Sequence, residues 1–225
     1  MKKLPRPHLP HRKKKFTEEK PYPFEMGYRV PAEWEPHEAT WMGWPHNVED
    51  WPGKITPVPW VYGEMVRKIA VGEKVRIIVE GKEHQDSAYK ILHDAGADLK
   101  NVEFFHFKTN RGWTRDSGPA FIVNDNETAL VNFNFNAWAK YSNYRKDDKL
   151  PEFIADEFGI KKFNAVHKGK HVVIEGGSID TNGKGTLITT EECLMDAEIQ
   201  VRNPGFTKED YSEIFKKYLK RWLEK

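Results

Sequence analysis

An internal repeat constrains the fold of this 225-residue chain more than any other feature. Residues 118–131 have the pattern of a strand, a tight Asn/Asp turn and a second strand. Residues 177–188 repeat that pattern around Asn182–Gly183, a pair typical of type I′ hairpins. Asp116 precedes the first hairpin and Glu175 the second, each at the end of a predicted strand. The repeat distance of about 60 residues indicates a modular α/β fold, with chance similarity of two hairpins as the alternative.

Strand and helix patterns alternate through residues 27–225, which we take as one domain. Strands are predicted at residues 39–44, 75–79 and 102–107. Four helices are predicted. The first starts at Pro59 and has the apolar stripe Val61, Met65 and Ile69; the second includes residues 89–92 and ends at Gly96. The third spans residues 150–158 and ends at Gly159, and the fourth follows the capping pair Thr207 and Asp210. The last helix carries the apolar stripe Tyr211, Ile214, Phe215, Tyr218, Leu219, Trp222 and Leu223. We expect no strand to follow it, which would leave its apolar face uncovered and a sheet edge open to aggregation.

Charge is distributed unevenly along the chain. Residues 1–20 hold eight Lys or Arg against Glu18 and Glu19, so the remaining residues sum to −4 within an overall charge of +2. Because proline is also dense there, residues 1–26 are predicted to be a flexible basic arm. The arm lacks aromatic residues interleaved with its charges, so a solvated tail is favoured over nucleic-acid binding. The acidic remainder suits a cationic ligand.

One cysteine, Cys193, occurs in the chain, so no internal disulfide can form. This indicates a reducing cytoplasm, and no apolar run is long enough to predict a membrane span or a signal peptide. A catalytic thiol needs an electropositive and partly exposed setting. Because Glu191 and Glu192 come just before it and Leu194–Met195 just after, a structural role is the better interpretation of Cys193.

Two clusters could carry chemistry. Residues 113–119 (Trp-Thr-Arg-Asp-Ser-Gly-Pro) combine an indole, a guanidinium and a carboxylate in a loop. A carboxylate presented there could accept N–H donors from a planar cation while the indole covers its face, or Arg115 and Asp116 could be a surface pair. In the second cluster, Glu175 is followed by Gly176–Gly177, which would let the backbone approach a ligand or a neighbouring strand, with a β-bulge beside a solvated Glu as the alternative.

A third cluster is rich in aromatic residues. Four tryptophans, Trp34, Trp41, Trp44 and Trp51, lie close together and are interpreted mainly as an aromatic core layer. The histidines in this region, with neighbouring glutamates, fit no established zinc spacing, so neither a metal nor a cofactor is expected; the residues concerned are His37, Glu38, His46 and Glu49.

Five ordered segments resemble the family of agmatine deiminases and Porphyromonas-type peptidyl-arginine deiminases. They are residues 31–45, 113–119, 175–178, 185–194 and 202–204. The resemblance implies a pentein-type α/β propeller built from five ββαβ modules, of which about three are expected in this chain. It also implies hydrolysis of a guanidine to a ureido product and ammonia through a cysteine thiolate, with a His–Asp pair moving the protons. The substrate would be agmatine, on the way to putrescine, or peptidyl-arginine.

The resemblance also assigns roles to individual residues. Asp116 would be the catalytic carboxylate that binds the guanidinium group, Trp113 and Arg115 would line the pocket, and Glu175 would support it from the third module. Trp44 is placed among the substrate-binding residues. Neither a Gly-His-Val-Asp segment nor a Gly-Gly-Asn-x-His-Cys segment occurs in the chain, and Cys193 matches a non-catalytic position. We therefore expect a truncated deiminase, inactive alone, with a complementing C-terminal chain or a non-enzymatic guanidinium-binding role as the alternatives.

Overall fold

Three three-stranded sheets make up the framework, and each is completed by a helical crossover. The computed structural model describes residues 16–220 and the backbone of residues 222–223. The strands are β1 (Ala39–Gly43), β2 (Lys74–Val79), β3 (Val102–His106), β4 (Ala120–Val123), β5 (Thr128–Asn132), β6 (Lys161–Asn164), β7 (Val166–His167), β8 (Lys170–His171), β9 (Ile179–Thr181), β10 (Thr186–Thr189) and β11 (Trp222–Leu223). The helices are α1 (Val58–Ile69), α2 (Lys82–Asp94), α3 (Thr114–Ser117), α4 (Leu150–Phe158), α5 (Glu191–Met195) and α6 (Lys208–Leu219).

The first sheet is parallel, with the order β1-β2-β3 and with α1 and α2 as the crossovers. Strand β2 lies in the centre, so every residue from Val75 to Val79 is buried. This burial on both faces explains the continuous β-branched run that marks the strand in the sequence.

Helix α1 turns a different face to the core than its predicted stripe. Val61 is 58% exposed and Met65 is 46% exposed, whereas Gly63 and Val66 are buried. The reason is Gly63, where an added Cβ would lie 3.1 Å from Ile91 of α2. A hydrophobicity pattern does not register glycine as an inward-facing residue, so the predicted stripe was wrong at Val61 and Met65, whereas Ile69 packs against the core as predicted.

The second and third sheets confirm the repeat. In the second sheet β4 is antiparallel to β5, and β6 returns parallel to β5 after α4. The third sheet has the same plan, because β9 is antiparallel to β10 and β11 is parallel to β10 after α6. A separate two-stranded hairpin, β7-β8, lies between them in the chain. The first sheet departs from this plan, since all its pairs are parallel.

The turn between β9 and β10 differs from prediction. The turn at Asn182–Gly183 is not type I′, since Gly183 and Gly185 have positive φ and Asn182 does not. The Asn182 side chain instead accepts hydrogen bonds from the backbone N–H groups of Lys184 (2.9 Å) and Thr186 (3.2 Å), which closes a longer loop. Asparagine side chains commonly shape turns in this way.

Helix α6 ends before the last two residues of its predicted stripe. Lys220 takes a left-handed conformation after Leu219, and Trp222–Leu223 forms β11, the strand that was expected to be missing. Tyr211, Phe215 and the neighbouring apolar residues of α6 are buried in the core shared by the second and third sheets, so the helix face is covered. The capping box of Thr207 and Asp210 is confirmed.

The segment that precedes the first sheet packs against this core. Residues 1–15 of the predicted arm lie outside the described part of the chain. Tyr22 is 6% exposed and its ring meets that of Tyr218 at 6.0 Å, and Pro23–Met26 forms a short 3₁₀ helix. A proline-rich composition does not reveal such an aromatic anchor, and Tyr22 and Pro23 are buried here although residues 1–26 are predicted to be a flexible arm.

Candidate functional site

Asp116 lies on α3, the single turn of helix that leads into β4. The carbonyl oxygen of Trp113 accepts the backbone N–H groups of Asp116 (3.1 Å) and Ser117 (3.0 Å), which closes this turn. An added Cβ on Gly118 would overlap the carbonyl oxygen of Thr114, so the chain leaves the turn only through glycine. The side chain of Asp116 is therefore presented on a short and well-tied loop.

The two glycines after Glu175 bring the third module against this loop. A Cβ on Gly176 would overlap the carbonyl oxygen of Arg115, and one on Gly177 would overlap Oδ1 of Asp116. The backbone N–H of Gly177 donates to Oδ1 of Asp116 at 3.1 Å. The close approach expected of this pair of glycines is thus present, and it joins the two charged positions of the repeat.

An open cleft of about 380 Å³ lies above Asp116. Its wall includes the aromatic rings of Trp113, Trp138 and Tyr141, and Trp113 is stacked on Trp51 with ring centroids 5.5 Å apart. The indole of Trp138 lines the cleft with Asp116 and lowers the pKa of that carboxyl group. The other lining residues are polar or charged: Glu49, Asp50, Arg111, Lys140 and Gln200. A carboxylate between aromatic faces suits a planar cation.

Burial raises the pKa of Asp116, and four groups oppose that rise. They are the N–H of Gly177, the indole of Trp138 and the positive charges of Arg115 and Arg202. Burial likewise raises the pKa of Glu175, which is 2% exposed, while Arg202 opposes it with an Nε to Oε1 contact of 3.1 Å. Two carboxyl groups with raised pKa values at one cleft are a feature of functional sites.

A second network, made of an ion pair, a ring contact and hydrogen bonds, holds Arg111 in the wall of the cleft. Its guanidinium pairs with the carboxylate of Asp50, and its carbon lies 3.8 Å from the ring centre of Tyr141. Asp147 is fully buried and accepts the backbone N–H groups of Asn110 (3.0 Å) and Arg111 (3.1 Å). This carboxylate fixes the loop that carries Trp113 into the cleft.

Trp138 occupies an unusual backbone conformation. Ala137, Trp138 and Ala139 have φ values of 50°, 60° and 53°, all in the left-handed region. Each such residue costs about 1–2 kcal/mol. The Asn136 side chain accepts the N–H of Ala139 at 2.9 Å and helps to hold the turn. Clustered strain of this kind points to a functional constraint on the position of Trp138.

The structure places the predicted residues in different surroundings. Trp113 and Asp116 line the cleft. Glu175 is buried beside it, whereas Arg115 is exposed and pairs with Glu33. Trp44 is 2% exposed and packs edge-on against Tyr62 in the core of the first sheet, so it does not line the cleft.

Six lining residues were missed by sequence reasoning: Asp50, Arg111, Trp138, Lys140, Tyr141 and Gln200. Arg111 was visible as part of the polar run that starts at Asn110, but nothing local distinguishes it from Arg115. The position of Trp138 depends on left-handed φ values at non-glycine residues, which sequence patterns do not reveal.

The remaining candidate residues lie in other surroundings. His37 pairs with Glu73, and Nε2 of His46 lies 2.8 Å from the hydroxyl of Thr109. Cys193 is half-buried on α5. In the described part of the chain, no three His, Cys, Asp or Glu side chains are grouped so as to hold a metal ion, and no helix is long and apolar enough to cross a membrane.

This chain contains part of a pentein-type α/β propeller. Its repeated modules surround an aromatic cleft that has a carboxylate at its base. The chain belongs to the Porphyromonas-type peptidyl-arginine deiminase family, which matches residues 29–223. It is 32% identical over 199 residues to the agmatine deiminase of Ectopseudomonas mendocina, covering 86% of this chain and 50% of that protein.

Solved structures give the same relationship. The agmatine deiminase of Enterococcus faecalis superposes with a TM-score of 0.77 at 27% identity, over 90% of this chain and 53% of that one. An agmatine deiminase variant of C. jejuni with substrate bound superposes with a TM-score of 0.72 at 28% identity, over 87% of this chain and 54% of that one. The chain thus spans about half the length of the relatives it matches.

Proposed function

We propose that the cleft binds the guanidinium group of agmatine or of a peptidyl-arginine, with Asp116 as its carboxylate acceptor. A guanidinium has a pKa above about 12 and is bound as a cation. The observation that carries the proposal is the placement of Asp116, whose carboxylate accepts the Gly177 N–H in a cleft also lined by Trp113 and Trp138. The indoles of Trp113 and Trp138 would cover the faces of the bound cation.

We further propose that deimination of that guanidine is completed by groups outside these 225 residues. In this reaction a cysteine thiolate attacks the guanidinium carbon and ammonia leaves, and water then releases the ureido product from the covalent intermediate. The one cysteine here, Cys193, follows two glutamates on α5 and does not line the cleft. The chain would then supply the guanidinium-binding half of a cytoplasmic hydrolase in putrescine synthesis and be inactive alone.

Calorimetric titration with agmatine, and separately with a short arginine-containing peptide, tests the binding role. We expect saturable binding of at least one ligand by the full chain. Asp116→Asn should weaken that binding by about tenfold or more, because a hydrogen bond to a charged group is worth about 1.5–3 kcal/mol. Equal binding by wild type and Asp116→Asn would contradict the assignment of Asp116.

An ammonia-release assay on the same samples tests whether deimination needs groups outside these 225 residues. We expect no ammonia and no ureido product from agmatine with the chain alone. Turnover that disappears in Cys193→Ala would overturn the proposal, because it would place the nucleophile within this chain. Turnover gained on adding a polypeptide with the remaining modules of a relative would identify a split enzyme, and its absence would favour a non-enzymatic guanidinium-binding protein.

A further inference from the structure

The ion pair between Glu175 and Arg202 lies at the back of the cleft, out of contact with solvent. The side chains of Glu175 and Arg202 are 2% and 8% exposed, and Nε of Arg202 donates to Oε1 of Glu175 at 3.1 Å. Removing one partner of a buried pair leaves an uncompensated charge, whereas replacing both is often tolerated. Glu175 therefore depends on Arg202 for its ionised form.

Arg202 also connects this pair to the wall of the cleft. Its Nη1 donates to the carbonyl oxygen of Gln200 at 2.9 Å, and Gln200 lines the cleft together with Asp116. The carboxylate of Asp196 accepts the backbone N–H groups of Ile199 (3.1 Å) and Gln200 (3.1 Å), which ties the same segment from its other end. One arginine thus holds both a buried carboxylate and a lining segment.

Several charged groups surround Glu175, and Arg202 differs from the others in its contact with the Glu175 carboxylate. Asp116 raises the pKa of Glu175 by repulsion, in addition to the larger effect of burial, and Arg202 opposes both. The positive charge of Arg202 also reaches Asp116, as does that of Arg115. From α6, Tyr211 faces the pair, and Glu175 and Arg202 act on its pKa in opposite directions. Among these groups Arg202 alone donates a hydrogen bond to the Glu175 side chain in the described part of the chain.

We infer that Arg202 is a positioning residue of the guanidinium site, which keeps the Glu175 carboxylate ionised and fixed behind Asp116. The inference rests on the proposed function of the cleft. Arg202 does not touch the ligand in this arrangement. It fixes the Glu175 carboxylate behind Asp116, and it holds the Gln200 segment at the edge of the cleft.

Agmatine affinity measured as a function of pH, in wild type, Arg202→Gln and Arg202→Lys, tests this role. Without the arginine, burial and Asp116 raise the pKa of Glu175 further, so a larger fraction of its carboxyl groups is neutral and a higher pH is needed to ionise them. We expect Arg202→Gln to bind agmatine about tenfold or more weakly at pH 7 and to recover affinity as the pH is raised towards 9. Arg202→Lys keeps the charge beside Glu175 but not the second contact to Gln200, so its affinity should lie between those of wild type and Arg202→Gln and should lack the pH-dependent recovery. A loss that is independent of pH would indicate a merely structural role and overturn the inference, as would wild-type affinity in Arg202→Gln.

Carbon-13 NMR of the Glu175 carboxyl group provides a readout that does not depend on ligand binding. The titration midpoint of Glu175 should move upward in Arg202→Gln and remain near its wild-type value in Arg202→Lys; an unchanged midpoint in Arg202→Gln would sink the inference. If Asp116→Asn leaves agmatine binding intact, the proposed function fails while this titration still decides the role of Arg202.

If Arg202→Gln does not fold, the double variant Glu175→Gln/Arg202→Gln removes both charges. That variant should fold and bind weakly at every pH, and wild-type affinity in it would contradict the inference.

Discussion

Gly176 marks a tight backbone approach between the second and third modules. An added Cβ there would overlap the carbonyl oxygen of Arg115, a backbone atom that cannot rotate away. We expect Gly176→Ala to lower the free energy of unfolding by about 1–3 kcal/mol, as for other overpacked positions. Gly72→Ala is the matched control, since an added Cβ meets no atom within 4 Å there. Urea unfolding measures both variants, and equal midpoints for the two would show that the modules can separate without cost.

At the level of residues, chemistry confined to a short segment could be predicted from the sequence. The run from Trp113 to Pro119 predicted a carboxylate and an indole in one loop, and Trp113 and Asp116 do share the cleft. The resemblance assigned Arg115 of this run to the pocket. The turn of α3 directs Arg115 to Glu33 instead, and Arg111 reaches the cleft through contacts with Asp50 and Tyr141 that are distant in sequence.

At the level of elements, the start of α6 couples the stability of the third module to pH. Asp210 accepts hydrogen bonds from Lys168 (2.7 Å), His167 (2.9 Å) and the backbone of Thr207 (3.0 Å), and the first two contribute most to its strongly lowered pKa. A carboxyl group whose pKa is lower in the folded state stabilises the fold above its unfolded pKa of about 3.9. That contribution is lost as the pH falls below this value.

We therefore expect Asp210→Asn to unfold at a lower temperature than wild type at pH 7. The difference between the two should shrink as the pH is lowered below about 4, because the unfolded wild-type chain then takes up a proton at Asp210 that the folded protein does not bind. Thermal unfolding followed by circular dichroism across this range measures the effect. Asp125→Asn, on an exposed turn, is the control and should follow the wild-type curve. A pH-independent difference for Asp210→Asn would assign the effect to geometry rather than to charge.

Elements defined by their own local pattern were predictable, and those defined by contact with another element were not. The cap formed by Thr207 and Asp210 is encoded within four residues, and Gly159 ends α4 in the left-handed conformation as expected. The inward face of α1 depends on Gly63 meeting Ile91 of another helix. The end of α6 at Leu219 likewise depends on β10, which Trp222–Leu223 joins as a strand.

At the level of the whole molecule, the segment before β1 connects the second and third modules. Tyr28 pairs through its hydroxyl with Glu127 in the hairpin turn of the second sheet, and its ring lies 5.6 Å from that of Phe163. Tyr22 packs on Tyr218 of α6, where Lys217 lies 4.8 Å above its ring and 3.1 Å from Glu18. The segment therefore contributes to the common core rather than serving only as a leader to the first sheet.

Tyr22→Ala tests this connection. Removing a buried aromatic ring costs on the order of 3 kcal/mol, as for other large-to-small changes in cores, so we expect the urea midpoint to fall markedly. Phe16→Ala is the matched control, because Phe16 is 41% exposed and makes a peripheral ring contact with His171 at 5.4 Å. If both variants unfold at the wild-type midpoint, residues 16–26 behave as the solvated arm that their composition suggested. A lower urea midpoint for Tyr22→Ala alone would establish that this segment is part of the core. Its proline and lysine content does not reveal that packing.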